Sequence, residues 1–171
     1  MNPYMKLAKK AVTDFFNKPW QQGWQWRVEL EAPEAPQDFD LYVKDIDYGE
    51  GSIDVDTFAV GSGSIAYPTF SSAGEITMTV RDDELGTMRK FFDARLAKVK
   101  NKDGTLNIPI DYIFKINIFD LDSDGNKTLR ESYQVFPTKK GNVNQSRENG
   151  NVILSYPIIF QKFMSVGNKV F

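Results

Sequence analysis

The sequence has 171 residues, 41% of them hydrophobic and 26% charged, with a formal net charge of −2 at pH 7. This composition excludes a disordered chain, and the length predicts a single domain, 1–171, because two halves would each bury little core. With 0 cysteines and 0 histidines, the chain has no disulfide, no thiol or serine–histidine nucleophile and no Cys/His zinc site. No apolar run approaches the ~20 residues that cross a bilayer. We therefore expect no enzyme, no cofactor and no membrane insertion.

Charge is distributed unevenly along the chain. Residues 29–56 contain ten acids and one base, Lys44, which sum to −9, whereas residues 1–27 contain five bases and one acid, Asp14, which sum to +4. A surface that grips phosphates usually carries a basic stripe. The acidic segment therefore argues against nucleic-acid binding.

The chain begins with an amphipathic pattern. Apolar residues recur at three- and four-residue steps from Tyr4 to Phe16, which predicts an N-terminal helical arm within residues 1–18. Its predicted packing residues are Leu7, Val12, Phe15 and Phe16. Residues 25–31 alternate strictly, with Trp26 on the apolar side, and predict a strand, and residues 41–46 favour a second one.

Glycines punctuate residues 47–74 and separate short apolar runs. Such a long segment is uncommon in a compact domain unless the loop or hairpin has a function. Two interpretations stay open. The segment is either a floppy surface hairpin or an arm that becomes ordered by packing on another subunit.

The second half of the chain is predicted to form a strand, a helix and three further strands. Residues 75–81 alternate as a strand, and acids at 82–84 cap a helix that Gly104 closes. The apolar stripe of this helix is Leu85, Met88, Phe92 and Val99. Alternation at 108–121, 129–136 and 152–164 predicts the last strands. Because proline donates no ladder hydrogen bond, Pro157 indicates an edge, a bulge or a gap in pairing.

One motif has the spacing of a calcium loop. Its members are Asp120, Asp122, Asp124, Gly125 and Glu131. A calcium loop is held between helices, but strands are predicted on both sides, and Lys127 adds a positive charge. A β-hairpin turn needs only Asp-Gly with polar neighbours. We predict a turn and no metal site. A calcium- or carbohydrate-binding β-sandwich module is the alternative function, the latter through Trp20, Trp24 and Trp26.

Taken in order, these elements resemble the tail tube proteins of contractile phages. Three stretches carry the resemblance: AVTDFF (11–16) leading into WRVEL (26–30), ITMTVRDDE (76–84) leading into MRKFFD (88–93), and YQVFPT (133–138) with the closing strand at 152–163. None of these stretches is a catalytic signature. The specificity lies in their order and spacing.

The resemblance implies a mainly β (α+β) fold. The expected form is a two-sheet β-sandwich or small barrel with a flanking α-helix, an N-terminal helix and a protruding β-hairpin at 47–74. It also implies a subunit that self-assembles into stacked hexameric rings. The rings form a hollow conduit for DNA ejection inside a contractile sheath, an architecture similar to that of Hcp and bacteriocin tubes.

The resemblance further implies partners, a location and site residues. The partners are copies of itself and sheath, baseplate and tail terminator proteins, while DNA passes through the lumen without specific binding. The location is the virion tail, after assembly in the host bacterial cytoplasm. The implied ring-stacking residues of the hairpin are Phe58, Val60, Ile65, Tyr67 and Phe70, and the acidic lumen or interface candidates are Asp45, Asp47, Glu50, Asp54 and Asp56.

Two features depart from the family pattern. Residues 165–171 extend past the last predicted strand, and the acidic insert at 33–40 is rich in proline. Either feature favours an alternative role as a baseplate-proximal tube initiator.

Overall fold

A computed structural model describes residues 3–148 and 150–164. The elements, in order, are α1 Pro3–Asn17, β1 Trp26–Glu31, α2 Phe39–Tyr42, β2 Val43–Tyr48, β3 Ile53–Val60, β4 Gly63–Ser71, β5 Glu75–Arg81, α3 Thr87–Val99, α4 Pro109–Tyr112, β6 Phe114–Leu121, β7 Lys127–Lys140 and β8 Ser155–Lys162. The predicted extension at 165–171 lies outside the described residues. In the described part, no helix combines the length and apolar character that a bilayer crossing requires.

Two sheets make up the β structure. Six antiparallel strands form one sheet in the order β1-β6-β7-β8-β5-β2, and β3 pairs with β4 in the other. The predicted mainly β class is therefore confirmed. The large sheet curls, because Tyr48 of β2 and Tyr133 of β7 meet with ring centroids 6.5 Å apart although two strands separate them in the sheet.

The core lies on the inner face of this curled sheet. Alternation places three apolar cross-strand pairs side by side, all of them buried: Ile76 with Phe160, Met78 with Ile158, and Val80 with Tyr156. Helix α3 adds Met88, Phe91 and Phe92 to the same core. The ring of Phe160 lies 5.6 Å from Phe92 and 5.7 Å from Phe114, in edge-on geometries that aromatic pairs prefer.

Helix α3 is shorter than predicted: its N-cap residue is Gly86 and it ends at Val99, before Gly104, although the acids that precede it still bind N–H groups of its first turn. The Asp82 carboxylate accepts hydrogen bonds from the backbone N–H groups of Met88 and Arg89, and it also accepts one from the Tyr156 hydroxyl at 2.9 Å. Because α3 starts at Thr87, the predicted stripe residue Leu85 lies outside it and is exposed.

Two predicted strands start too early. Residues 108–113 were predicted as strand, yet Pro109 begins the short helix α4, because a proline without N–H suits the first helical position. Ile110 is consequently exposed. The last strand begins at Ser155, and Val152 precedes it on the surface.

Pro157 marks a gap in pairing, one of the three predicted outcomes. The neighbouring strand β7 ends at Lys140, which pairs with Ile158, so no ladder donor is required of Pro157 on that side. The backbone N–H of Gly141 instead donates to the Pro157 carbonyl at 2.7 Å. A side chain on Gly141 would overlap the Pro157 ring, so glycine is needed there.

Candidate assembly surfaces

The hairpin formed by β3 and β4 projects from the body. Every residue of both strands is exposed. The five predicted stacking residues are between 44% and 65% exposed: Phe58, Val60, Ile65, Tyr67 and Phe70. The hairpin is shorter than the predicted 47–74, because Asp47 and Tyr48 complete β2 in the large sheet.

The register divides the apolar residues between the two faces of the hairpin. Phe58 pairs with Ile65, and because alternate residues of a strand share a face, Val60 and Tyr67 lie on that same face. We call these four residues the hairpin apolar face. Thr57 pairs with Ala66 on the opposite face, and Phe70 lies beside a register shift near the root.

The root of the hairpin is closely packed backbone. The Ser72 backbone N–H donates to the Ser52 carbonyl at 2.9 Å, and the two hydroxyls lie 2.8 Å apart. A side chain on Gly51 would overlap the Ser72 carbonyl. The two strands therefore leave the body at a fixed point where only glycine allows the approach.

A buried lysine connects this root to the sheet. Lys162 of β8 is 6% exposed, donates to the Gly49 carbonyl, and lies 3.7 Å above the Tyr133 ring. Burial lowers the pKa of Lys162, while Glu131 and Glu50 act in the opposite direction. Burial and Glu131 raise the pKa of Tyr133 to about 12. The lysine is thus a buried cation held by a carbonyl, an aromatic face and nearby carboxylates.

Helix α1 is the second projection. None of its residues is buried, and the predicted packing residues Leu7, Val12, Phe15 and Phe16 are all exposed. Its polar side carries Lys6 and Lys10, and Lys9 lies next to Phe16 at the edge of the apolar side. Phe15 packs on Trp20, with ring centroids 5.1 Å apart, and the Trp20 indole N–H donates to the Phe15 carbonyl at 2.8 Å.

The linker between α1 and β1 is hydrogen-bonded. The Gln22 backbone N–H donates to Gln25 Oε1 at 2.6 Å, and Gln21 Nε2 donates to Asp120 Oδ1 at 3.0 Å. The second contact connects the linker to the end of β6.

A groove lies where the curled sheet fails to close. The edge strands β1 and β2 do not pair with each other, and α2 contacts both. Asp40 of α2 accepts a hydrogen bond from the free-edge N–H of Val28 at 2.9 Å. Beside α2, two adjoining cavities of about 460 and 330 Å³ share Gly23, Trp26 and Ile46 in their walls. We call this the seam groove; its further apolar walls are Trp24, Val43 and Tyr48.

The five acidic candidates lie at three places in the protomer. Asp45 and Asp47 lie on the exposed side of β2, where Lys44 approaches Asp45 at 3.8 Å. Asp54 and Asp56 share a face of β3 with Phe58, and the Tyr67 hydroxyl donates to Asp56 at 3.3 Å. Glu50 lines the cavity at the hairpin root. The five acids therefore belong to different elements of the protomer.

The calcium-loop look-alike forms the turn between β6 and β7. Asp122 accepts hydrogen bonds from the backbone N–H groups of Asp124 and Asn126, both at 2.9 Å, and the Asn126 contacts lower its pKa. Asp120 instead pairs with Arg130 at 3.1 Å. Glu131 belongs to the surroundings of Tyr133 and Lys162. Within residues 3–148 and 150–164, no three carboxylates gather as a metal site.

Sequence reasoning missed two buried cations. Lys162 continues the apolar alternation of Tyr156, Ile158 and Phe160, so its position on the inner face was the available signal. Arg95 of α3 is also buried, stacks on the Phe114 ring at 5.1 Å and faces Glu34 at 3.7 Å. The Glu34 contact joins the proline-rich insert to α3, and no local pattern indicates it.

Comparisons with known proteins show which solved structures have a similar fold. No protein-family model matches the sequence, and no curated protein gives a significant match. A chain of the anti-feeding prophage baseplate, solved as a six-fold symmetrised structure, has a TM-score of 0.62 at 11% identity, covering 85% of this chain and 93% of that chain. A chain of the sheath/tube terminator of PVC, an extracellular contractile injection system, has a TM-score of 0.60 at 16% identity, covering 85% and 94%.

A third similar solved structure comes from a sheath–tube complex. A chain of the PVC sheath–tube complex in its extended state has a TM-score of 0.57 at 14% identity, covering 88% of this chain and 93% of that chain. All three similarities span nearly the whole of both chains. The resemblance to contractile tail tube proteins is therefore confirmed at the level of the fold, which this chain shares with chains of contractile injection systems.

Proposed function

We propose that this chain is a structural subunit of a contractile tail tube and catalyses no reaction. One observation carries the proposal beyond the shared fold. The two projections, α1 and the β3–β4 hairpin, expose nearly all of their apolar side chains. Monomeric proteins rarely expose contiguous apolar surface of this kind, and such surface marks sites of protein association.

The energetics favour association of copies. Burying one Val, Leu, Ile or Phe side chain fully contributes about 1.5–3 kcal/mol. The hairpin apolar face offers three such positions, Phe58, Val60 and Ile65, beside Tyr67. In the proposed tube, this face packs on the neighbouring ring, and Phe70 packs near the root. The arm hypothesis is thereby preferred to the floppy hairpin.

The proposal includes the assembly around the subunit. Six copies form a ring, in keeping with the six-fold symmetry of the anti-feeding prophage baseplate structure. Rings stack inside a sheath and end at baseplate and terminator proteins, and the tube is assembled in the host cytoplasm and carried in the virion. DNA passes without specific binding. Asp45 and Asp47 are the better lumen candidates, because both are exposed on a strand of the large sheet and repel phosphates, whereas Asp54 and Asp56 belong to the hairpin that packs on the neighbouring ring.

A role at one end of the tube is the second candidate. Its support is that the structural comparisons include chains from baseplate and terminator assemblies as well as from a sheath–tube complex. The distinction has a simple observable consequence. A main tube subunit polymerises alone into long tubes, whereas an initiator or terminator stops at single rings.

The experiment compares the full chain with two double variants by negative-stain microscopy and light scattering. Phe58→Ser with Ile65→Ser removes the centre of the hairpin apolar face, and Thr57→Ser with Ala66→Ser alters the adjacent pair on the other face. We expect rings or tubes from the wild type and from the control, and folded protomers from the first variant.

A deletion gives the same test without side-chain chemistry. Replacing residues 52–72 with a short glycine–serine linker should leave a folded protomer and abolish tube growth. Circular dichroism checks the fold of each variant. A wild type that stays monomeric at high concentration, or tubes that form without the hairpin, would contradict the proposal.

A further inference from the structure

We propose that two consecutive residues of β8, Gln161 and Lys162, are positioning residues that fix the direction of the β3–β4 hairpin before assembly. We call this pair the root clamp. The inference rests on the proposed tube function, because it explains how an arm of that tube is ordered in the free protomer. It concerns the two segments that join the hairpin to the large sheet: residues 49–52, the first leg, and residues 72–74, the second leg.

The hairpin has little else to hold its direction. Every residue of β3 and β4 is exposed, and within the described chain these strands contact each other extensively but no other element to a similar degree. A two-stranded hairpin by itself is only marginally stable in water. The direction of the hairpin relative to the body is therefore set at its two legs.

The packing around the legs leaves room for movement. A cavity of about 450 Å³ lies between both legs and the sheet, and its walls include Gly51 of the first leg, Ser72 of the second leg and Tyr133 of β7. A backbone beside a cavity lacks the close contacts that restrain a packed interior. Directed hydrogen bonds are then the contacts that restrain the legs.

The root clamp binds both legs from one place in the sheet. Gln161 Nε2 donates to the Ala73 and Gly74 carbonyls of the second leg at 3.1 and 3.2 Å. The Lys162 backbone N–H also donates to the Gly74 carbonyl, at 3.0 Å, and its ammonium group crosses to the first leg and donates to the Gly49 carbonyl. Because β8 pairs with β7 at both clamp residues and with β5 at Gln161, the clamp itself is held in the sheet.

The lysine contact is the stronger half of the clamp. Lys162 is 6% exposed, so water competes little with the Gly49 carbonyl for its ammonium group. A hydrogen bond from a charged donor is shorter and stronger than one between neutral groups. The Tyr133 ring, whose centroid lies 3.7 Å from the ammonium nitrogen, stabilises the same charge. Removing the ammonium group therefore releases the first leg.

A hairpin with a fixed direction favours assembly. An arm that samples many directions loses that freedom when it packs on the neighbouring ring, and this loss weakens the association. An arm that is already held in one direction has little of this freedom left to lose. The clamp therefore lowers the protein concentration at which rings or tubes form, although it contacts the protomer's own hairpin legs and no second copy is needed for it.

The test measures the direction of the hairpin in dilute protomers, and it uses the absence of natural cysteine. Spin labels are attached to Ser62→Cys at the hairpin tip and to Lys90→Cys on α3, and double electron–electron resonance gives the distribution of distances between them. We expect Lys162→Met to broaden this distribution about twofold, because motions of the released hairpin then add to its width. Lys140→Met is the matched control, since it removes a lysine of the same sheet that pairs with Asp93 at 2.7 Å.

Assembly is measured by light scattering on the same substitutions without labels. Lys162→Met should raise the concentration needed for rings or tubes by about tenfold. Gln161→Met, which releases the second leg, should raise it several-fold and keeps the test available if Lys162→Met unfolds the protein. Lys162→Arg should restore most of the wild-type behaviour, because arginine keeps the charge and stacks on aromatic rings and the adjoining cavity has room for it.

The inference is overturned if Lys162→Met and Gln161→Met leave the distance distribution as narrow as Lys140→Met does, or if they broaden it without raising the assembly concentration. The clamp and the tube function fail separately. Unchanged distances in variants of a protein that forms tubes would reject the clamp and leave the tube function standing. Distances that broaden as expected in a protein that forms neither rings nor tubes would retain the clamp and reject the tube function.

Discussion

The curled sheet buries its apolar residues, whereas the two projections expose residues of the same types. Phe160 in β8 and Phe58 in β3 both occupy alternating strands, yet Phe160 is fully buried and Phe58 is 65% exposed. The difference comes from what stands opposite each face. Phe160 pairs with β5 and β7, and its ring contacts Phe92 of α3 and Phe114 of β6, whereas among the described residues β3 pairs with β4 alone. Apolar alternation therefore indicates that a face will be covered, but the cover can belong to another molecule.

The largest expected effect is on the free energy of unfolding, which a substitution in the sheet should lower far more than one in the hairpin. Phe160→Ala should lower the free energy of unfolding by about 3–5 kcal/mol, because it leaves a cavity beside Phe92 and Phe114. Phe58→Ala should change it by less than about 0.5 kcal/mol, as expected for a surface position. Urea unfolding of dilute protomers measures both. An equally large loss for Phe58→Ala would mean that the hairpin packs on its own body.

An intermediate loss of stability is expected at Gly51, where the hairpin joins the large sheet. Gly51→Ala should cost about 1–3 kcal/mol, because the new methyl group overlaps the Ser72 carbonyl and the backbone must shift. Gly63→Ala, within the hairpin, would place its methyl group at an ordinary contact distance of 3.7 Å from the Val60 carbonyl oxygen and should cost little. Thermal unfolding and tube yield are compared for the two variants. Equal behaviour of the pair would contradict a fixed root.

The smallest effect concerns pH and Lys162. Burial lowers the pKa of Lys162 in the folded protein, so the unfolded chain holds this proton up to its ordinary pKa of 10.5 while the folded protein releases it earlier. The unfolded state then binds more protons, and stability rises with pH in that window, by less than about 1.4 kcal/mol per pH unit.

Lys162→Met should therefore lose this alkaline gain relative to the wild type. Urea unfolding at neutral pH and at a pH just below 10.0, the ordinary pKa of Tyr133, measures the difference. The pH stays below 10.0 because Tyr133, whose pKa is raised in the folded protein, makes stability fall with pH above that value. A wild-type advantage that falls as the pH rises would show that the lysine is not buried as described.

The spacing of apolar residues predicted the helices and strands whose conformation depends on neighbouring residues in the sequence. The strand at 75–81 and the helix from Tyr4 to Phe16 were predicted closely, because strict period-two and three-to-four spacing each suit one conformation. The helix α4 was missed because Ile110 and Tyr112 also satisfy a strand alternation, and only Pro109 distinguishes the two.

Contacts between distant residues were not predictable in the same way. Lys162 and Gly49 are 113 residues apart, and Tyr156 and Asp82 are 74 apart, so no spacing rule relates them. The hairpin residues Phe58 and Tyr67 were identified from the sequence, but their shared face depends on the register with β4. The seam groove was not foreseen, because it forms from two strand edges that meet only when the sheet curls.

The lysine contact at the hairpin root also connects the hairpin to the middle of the large sheet. Gly49 directly follows the edge strand β2, whereas Lys162 belongs to β8, which has a hydrogen-bonded strand on either side. A displacement of the root therefore meets a side chain from a strand that is paired on both edges, in addition to the edge strand from which the hairpin leaves.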